Sequence, residues 1–182
     1  KESLIKFCEK YGHDLSQSFI ENRLYGRTNK EWIPEVFGDV DPDRLEELGA
    51  EKEQMFRDIF IPEDYIVEGI HDFLDMLRSQ DVPMAVATSA PGENADYILS
   101  RLEIEDYFET VLDSSHVTTG KPDPEVYLKA SAALDRNPEN CVVFEDSVSG
   151  VEAGRQAGAS VVGVTTTHTE DELAPCSLTI AD

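Results

Sequence analysis

Basic residues are scarce in this sequence of 182 residues, where 15 Lys and Arg face 38 Asp and Glu for a formal net charge of −23. A surface so short of positive charge repels nucleic acid and anionic membranes, so neither is expected as a partner. It also repels phosphate esters at long range, and a phosphate-handling site would need a local cation and a local lysine to reverse the field. Cysteine is scarce too. Cys8, Cys141 and Cys176 are widely spaced, odd in number and form no C-x-x-C pair, which argues for reduced thiols in a cytoplasm and against a disulfide framework or metal cluster. No apolar run exceeds strand length, and the charged start Lys1-Glu2 leads into an amphipathic stretch. Neither a membrane span nor a signal peptide is expected. What is present is the composition of a globular protein, 40% hydrophobic and 8% aromatic, enough to bury a core in one substantial domain or in one domain carrying a smaller insert. A cytoplasmic protein, monomeric or weakly dimeric, is the expectation.

Apolar spacing predicts consecutive helices over residues 1–64. Leu4, Ile5, Phe7 and Cys8 recur at helical period until Gly12, and a second short helix from Ser16 carries Phe19, Ile20 and Leu24 to Gly26. Thr28 with Glu31 has the form of a capping box opening a helix that halts at Gly38. Asp41-Pro42 starts the next, which runs to about Phe60. Over residues 65–182 the pattern changes to short β-rich runs alternating with helical segments. Strands are expected at 84–88, 110–113, 141–144 and 161–164, with a last short one at 177–180. Near-continuous apolar strands separated by helices imply an α/β fold with a Rossmann-like parallel sheet covered on both faces, preceded by an all-helical unit. Active sites in such sheets lie beyond the carboxyl ends of the strands, which directs attention to Thr88-Ser89, Asp113-Ser114, Glu145-Asp146 and Thr165-Thr166.

Three features at those ends have a shared chemical logic. Thr88 offers a hydroxyl beside free backbone N–H groups at a strand-to-helix turn, a setting suited to phosphoryl oxygens. Lys121, in Gly120-Lys121-Pro122-Asp123-Pro124, is a compact cation that can neutralise a transferring phosphoryl group and an attacking carboxylate together. Glu145 and Asp146 end a buried strand, where two carboxylates are costly unless a cation or hydrogen bonds meet them, and such hard oxygens suit hydrated magnesium. Taken singly, each has a plainer reading: a loop threonine, a surface lysine before a proline turn, and an acidic pair in a chain full of carboxylates.

Taken in order, Ala87-Thr88-Ser89-Ala90, Gly120-Lys121-Pro122-Asp123-Pro124 and Val142-Val143-Phe144-Glu145-Asp146-Ser147 with Gly150 and Ala153-Gly154 resemble the second, third and fourth motifs of the haloacid dehalogenase-like superfamily. The branch is the one with a helical cap that includes β-phosphoglucomutase and many sugar phosphatases. The resemblance implies a cap at 1–64 and a core at 65–182. It implies Mg2+ as cofactor, held directly by Asp146 and by Glu145 directly or through water. It implies a small phosphorylated metabolite, a sugar phosphate, as substrate, gripped by Thr88, Ser89 and Lys121, with transfer through an aspartyl phosphate. The family's first motif, a strand ending in D-x-D, has no counterpart. Asp39-Val40-Asp41-Pro42-Asp43 follows a helix end and reads as a turn and helix cap. In the family that strand is central, between the strands ending at Thr88 and Glu145. A further segment of about twenty residues at the N-terminus of the native polypeptide is therefore expected.

Arg27 and Lys52 stand out as basic side chains in the acidic helical segment that can reach substrate, with Lys30 a further candidate. In β-phosphoglucomutases an arginine in this loop binds the second phosphate, and a direct register puts Asn29 there, so hydrolysis is favoured over phosphomutase chemistry. A phosphate-binding relative without catalysis remains the reading from another class. His13, His71, His116 and His168 share no metal-ligand spacing and read as surface or loop histidines. Thr118-Thr119-Gly120-Lys121 lacks the first glycine and the final hydroxyl of a nucleotide P-loop.

Overall fold

A computed structural model describes residues 2–24 and 28–181. The chain divides between Ile61 and Pro62 into two compact units. The first contains α1 (Glu2–Lys10), α2 (Gln17–Phe19), α3 (Asn29–Phe37) and α4 (Pro42–Ile59). The expected helix from Ser16 is divided: α2 passes into a π-helical turn, Ile20–Leu24, a widening that occurs in short pieces. Its expected end at Gly26 lies outside the described residues. Local chemistry sets the other ends. Thr28 N and Oγ1 both donate to Glu31 Oε2 at 2.8 Å ahead of α3. Gly38, at φ 76°, closes that helix, a conformation that costs glycine little. The Asp41 carboxylate accepts from Arg44 N at 2.8 Å, with Pro42 in the first helical turn. The apolar stripes meet in a core of Phe7, Cys8, Ile20, Leu24, Trp32, Ile33 and Leu48. Phe7 and Trp32 cross edge to face at 6.1 Å, as their ring quadrupoles favour.

The second unit is the α/β one. Strands β1 (Ala85–Ala87), β2 (Thr110–Leu112), β3 (Val142–Glu145), β4 (Ser160–Val164) and β5 (Leu178–Ile180) all pair in parallel. They alternate with α5 (Ile70–Ser79), α6 (Gly92–Arg101), α7 (Glu125–Ala133) and α8 (Val148–Ala157). Single 3-10 turns at Glu105–Tyr107, Ser114–His116 and Pro138–Asn140 fill connections that apolar periodicity leaves as loops. Successive strand side chains point to opposite faces, and the core divides accordingly. Val86 and Val111 pack with Leu74, Leu99 and Ile104, whereas Ala85, Ala87 and Leu112 pack with Val126, Tyr127 and Ala130. Helices thus cover both faces of the β1–β2 pair, α5 and α6 on one and α7 with α8 on the other. The expected cover of both faces does not extend to β3 and β5, where one face stays exposed.

Among the described residues the ladder falls into two parts, β1–β2 and β3–β4–β5. Val142 and Phe144 of β3 remain 58% and 48% exposed. On the other side of β3, α8 lies close: a Cβ added to Gly154 would come 2.8 Å from Val161 Cγ2 and 3.6 Å from Val143.

The loop leading to Lys121 is pinned by the first residue of α7. Glu125 Oε2 accepts from the backbone N–H of Thr118 and Thr119 at 2.8 and 2.9 Å, while Oε1 accepts from Lys129 Nζ at 2.6 Å. The Lys129 bond first, then the Thr119 amide, hold the Glu125 carboxyl down at about 2. A depressed acid stabilises the fold at any pH above its ordinary value of 4.5 and ceases to do so as pH falls toward about 2. Thermal midpoints recorded stepwise across that window are therefore expected to drop less steeply in Glu125→Gln than in the parent, and equal slopes would refute the pinning role. Gly154→Val is expected to destabilise by about 1–3 kcal/mol through overpacking of α8 against the sheet, read by urea denaturation.

Candidate active site

The carboxyl ends of β1 and β3 are tied together by one ammonium group. Lys121 Nζ donates to Glu145 Oε2 at 2.8 Å, at the end of β3, and to the carbonyl oxygen of Ala87 at 3.2 Å, at the end of β1. Lys121 arrives there from the loop that Glu125 pins, just before α7. Its side chain and that of Glu145 are each only 10% exposed, so both charges depend on their mutual contact.

Glu145 is fully occupied by this arrangement. Its Oε2 also accepts from the Tyr127 hydroxyl at 2.5 Å, and its Oε1 accepts from Ser147 Oγ at 2.7 Å and from Ser147 N at 3.1 Å. Burial alone would raise the Glu145 pKa, but the Lys121 charge and the hydrogen bonds from Lys121, Tyr127 and Ser147 outweigh it and hold the carboxyl below its ordinary value. The carboxylate folds back over Gly150 and fills the space where a Cβ at that position would stand. Gly150 is thus required for Glu145 to turn toward Lys121. Ser147 completes the turn by capping α8, its Oγ accepting from Gly150 N at 3.0 Å.

Asp146 faces a different set of partners. Its Oδ2 accepts from Thr166 Oγ1 at 3.1 Å and Thr167 Oγ1 at 3.0 Å, from the loop after β4. Its carbonyl oxygen receives the Thr167 hydroxyl at 2.9 Å and lies 2.9 Å from His168 Nδ1. The two adjacent carboxylates therefore differ in availability: Glu145 is saturated by a cation and hydroxyls, while Asp146 is positioned by hydroxyls alone. Among the described residues no group of three or more His, Cys, Asp and Glu is gathered as a metal cluster. The donor set fits a hydrated magnesium ion, which takes one or two carboxylates and fills its remaining positions with water and phosphate oxygens.

The other sequence candidates fall as follows. Thr88 closes β1, its N–H donating to Leu112 O at 2.8 Å and its Oγ1 accepting from Ala90 N at 3.0 Å, so the hydroxyl shapes the turn that carries the exposed Ser89. Asp113, at the end of β2, is spent on its own turn, accepting from Ser115 N at 2.6 Å. Lys52 belongs to the helical unit, where its ammonium pairs with the buried Glu53 at 2.9 Å. The same Glu53 oxygen accepts from Asn29 Nδ2 at 2.9 Å, and Asn29 Oδ1 accepts from Trp32 Nε1 at 2.9 Å. Arg27 lies outside the described residues. Periodicity assigns Tyr127 to the apolar face of a helix and His168 to a loop, and no spacing rule brings either to the acidic pair. The one available signal is Tyr127's place two residues beyond the start of α7, six residues after Lys121.

Comparison with known proteins gives the family. A phosphorylated carbohydrates phosphatase of Thermotoga maritima is 33% identical over 162 residues, covering 86% of this chain and 73% of its own. The β-phosphoglucomutase of Bacillus subtilis is 38% identical over 111 residues, covering 61% of this chain and 48% of its own. The crystal structure of an Entamoeba histolytica HAD hydrolase of family IA, variant 3, superimposes with a TM-score of 0.86 at 27% identity, over 98% of this chain and 83% of that one. A family model described as haloacid dehalogenase-like hydrolase matches residues 2–158. That span takes in the ends of β1 and β3 and the lysine that ties them, and the chain belongs to the haloacid dehalogenase-like hydrolases.

Proposed function

We propose that this protein hydrolyses small phosphate esters, sugar phosphates in particular, in a magnesium-dependent reaction passing through an aspartyl phosphate. The observation that carries this reading is the Lys121 ammonium, fixed between the ends of β1 and β3. An ammonium has three donors. Glu145 and the Ala87 carbonyl engage two, leaving one N–H for an anion at the rim. The Thr88 amide is taken by Leu112 O and the Ala90 amide by Thr88 Oγ1, so the further donors to phosphoryl oxygens at this end of β1 would be the Thr88 hydroxyl hydrogen and the amide and hydroxyl of Ser89. Asp146 would hold the magnesium ion, with Glu145 acting through Lys121 and through ordered water. When bound, that ion supplies positive charge that offsets the phosphoryl group.

The attacking aspartate would be the first of the D-x-D motif that the family resemblance implies, a motif with no counterpart among residues 1–182. Its carboxylate would form a bond to phosphorus as the ester P–O bond breaks, and a second carboxylate would give the leaving oxygen its proton. Water then opens the acyl phosphate. The helical unit is taken as the cap that chooses the substrate. Its polar side chains favour hydrolysis over phosphomutase chemistry, because Lys52 is neutralised by Glu53 and the Asn29 amide is engaged by Glu53 and Trp32. The similar Bacillus subtilis β-phosphoglucomutase keeps intramolecular transfer as the second reading. Three free cysteines support a cytoplasmic setting.

Phosphate release from a panel of sugar phosphates, with and without magnesium, tests the reading on the native gene product. Lys121→Met is expected to lower kcat/KM by roughly 10²–10³. Asp146→Asn is expected to raise the magnesium concentration needed for half-maximal rate by about tenfold or more. Folding of both is checked by circular dichroism, and near-parental activity in both variants would sink the proposal. With β-glucose 1-phosphate, free glucose and phosphate are expected; glucose 6-phosphate as the product would favour the mutase.

A further inference from the structure

Tyr127 is the feature that the reading above leaves without a role. Its hydroxyl is buried against Glu145 Oε2 at 2.5 Å, the same oxygen that accepts from Lys121. Its ring meanwhile lies beneath the ammonium, with Lys121 Nζ 4.8 Å from the centroid, a separation at which the electron-rich face attracts a cation. One side chain therefore touches both members of the ion pair through different chemistry. Tyrosine rather than phenylalanine is needed only for the first contact. A purely structural α7 residue facing the small side chains of Ala85 and Ala87 would need no hydroxyl.

We propose that Tyr127 is a positioning residue that sets how firmly Lys121 grips the phosphoryl anion. The inference rests on Lys121 being the cation that binds that anion. Glu145 Oε2 carries negative charge that Lys121 and Tyr127 share between them. With both donors present, the carboxylate draws less on the ammonium, and the remaining Lys121 N–H is directed at an incoming anion. Remove the hydroxyl, and Glu145 must take its compensation from Lys121 and Ser147 alone, which pulls the ammonium toward the carboxylate. Burial of the phenol, followed by the Glu145 charge, drives its pKa upward, so Tyr127 remains a neutral donor throughout the working pH range.

Tyr127→Phe keeps the ring and removes only the oxygen. Assayed with magnesium at equal concentrations of folded protein, it is expected to lower kcat/KM about tenfold, or about 1.4 kcal/mol. The inhibition constant for orthovanadate, a mimic of the transferring phosphoryl group, is expected to weaken by a similar factor. A merely structural role would lower the folded fraction and leave the orthovanadate constant unchanged. Lys121→Met serves as the reference. If it loses activity while Tyr127→Phe keeps both constants within about twofold of the parent, the positioning role is overturned. If Lys121→Met is itself unaffected, the reading of Lys121 fails and takes the inference with it. Should Tyr127→Phe not fold, 3-fluorotyrosine placed at position 127 gives a second measurement. Its fluorine resonance is expected to move on adding orthovanadate to the parent and to stay still in Lys121→Met, and an unmoved resonance in the parent would refute the proposal.

Discussion

Neither Lys121 nor Glu145 could keep its charge in so enclosed a place alone. Each side chain is 10% exposed, and the attraction across 2.8 Å is what makes both tolerable. Such a pair gains little stability over a well-packed apolar substitute, since desolvation offsets most of the Coulombic gain. What it provides is position. The ammonium also bonds the last carbonyl of β1, so one charge fixes the distance between two strand ends that share no ladder. The remaining geometry at the rim follows from this contact. Gly150 is bare because the Glu145 carboxylate needs its space, Ser147 turns back to meet the other carboxylate oxygen, and Asp146 is left facing the threonine loop.

Much of the fold is legible in the sequence because its signals are local. The Thr28/Glu31 pair and the Asp41-Pro42 start act within one helical turn, and the structure bears out both ends. The alternation of apolar strands with helices is equally direct, since parallel strands need crossover connections. Cover on both faces holds for β1–β2, whereas Val142 and Phe144 of β3 stay exposed. Strand ends differ by about a residue from expectation, a scale at which ladder pairing rather than side-chain pattern decides. The π-helical turn at Ile20–Leu24 has no signature in its apolar spacing. At the rim, sequence singles out the residues that carry charge but not their partners. Nothing local says that Glu145 turns toward Lys121 while its neighbour Asp146 turns toward Thr166 and Thr167. Tyr127 is read correctly as a helix residue of the core, but its hydroxyl goes unread for a physical reason: a phenol that lines an apolar helix face also carries one polar atom, and only tertiary structure reveals what that atom meets.

The helical unit is organised on a similar economy of charge. Glu53 is 7% exposed, yet its carboxylate is met by the Lys52 ammonium and the Asn29 amide, and Asn29 in turn receives the Trp32 indole. Trp32 is at once a core residue packed on Phe7 and the end of this polar chain. The hydrophobic core and the polar network thus constrain the same helix pair. A substitution that loosens one changes the alignment of the other, as buried networks of satisfied groups generally do.

The small side chains of Ala85 and Ala87 on one face of β1 have a consequence that reaches beyond packing. They let α7 lie near the strand, and α7 carries Tyr127. The height of that helix above the sheet therefore sets where the aromatic ring sits beneath the ammonium. Adding a methylene to either alanine would lift the helix from behind, altering the chemistry at the rim without contact with any reacting group. Divergence among relatives, or deliberate redesign, has in that hidden layer a means of shifting the Tyr127 ring beneath Lys121 while every residue at the rim keeps its identity.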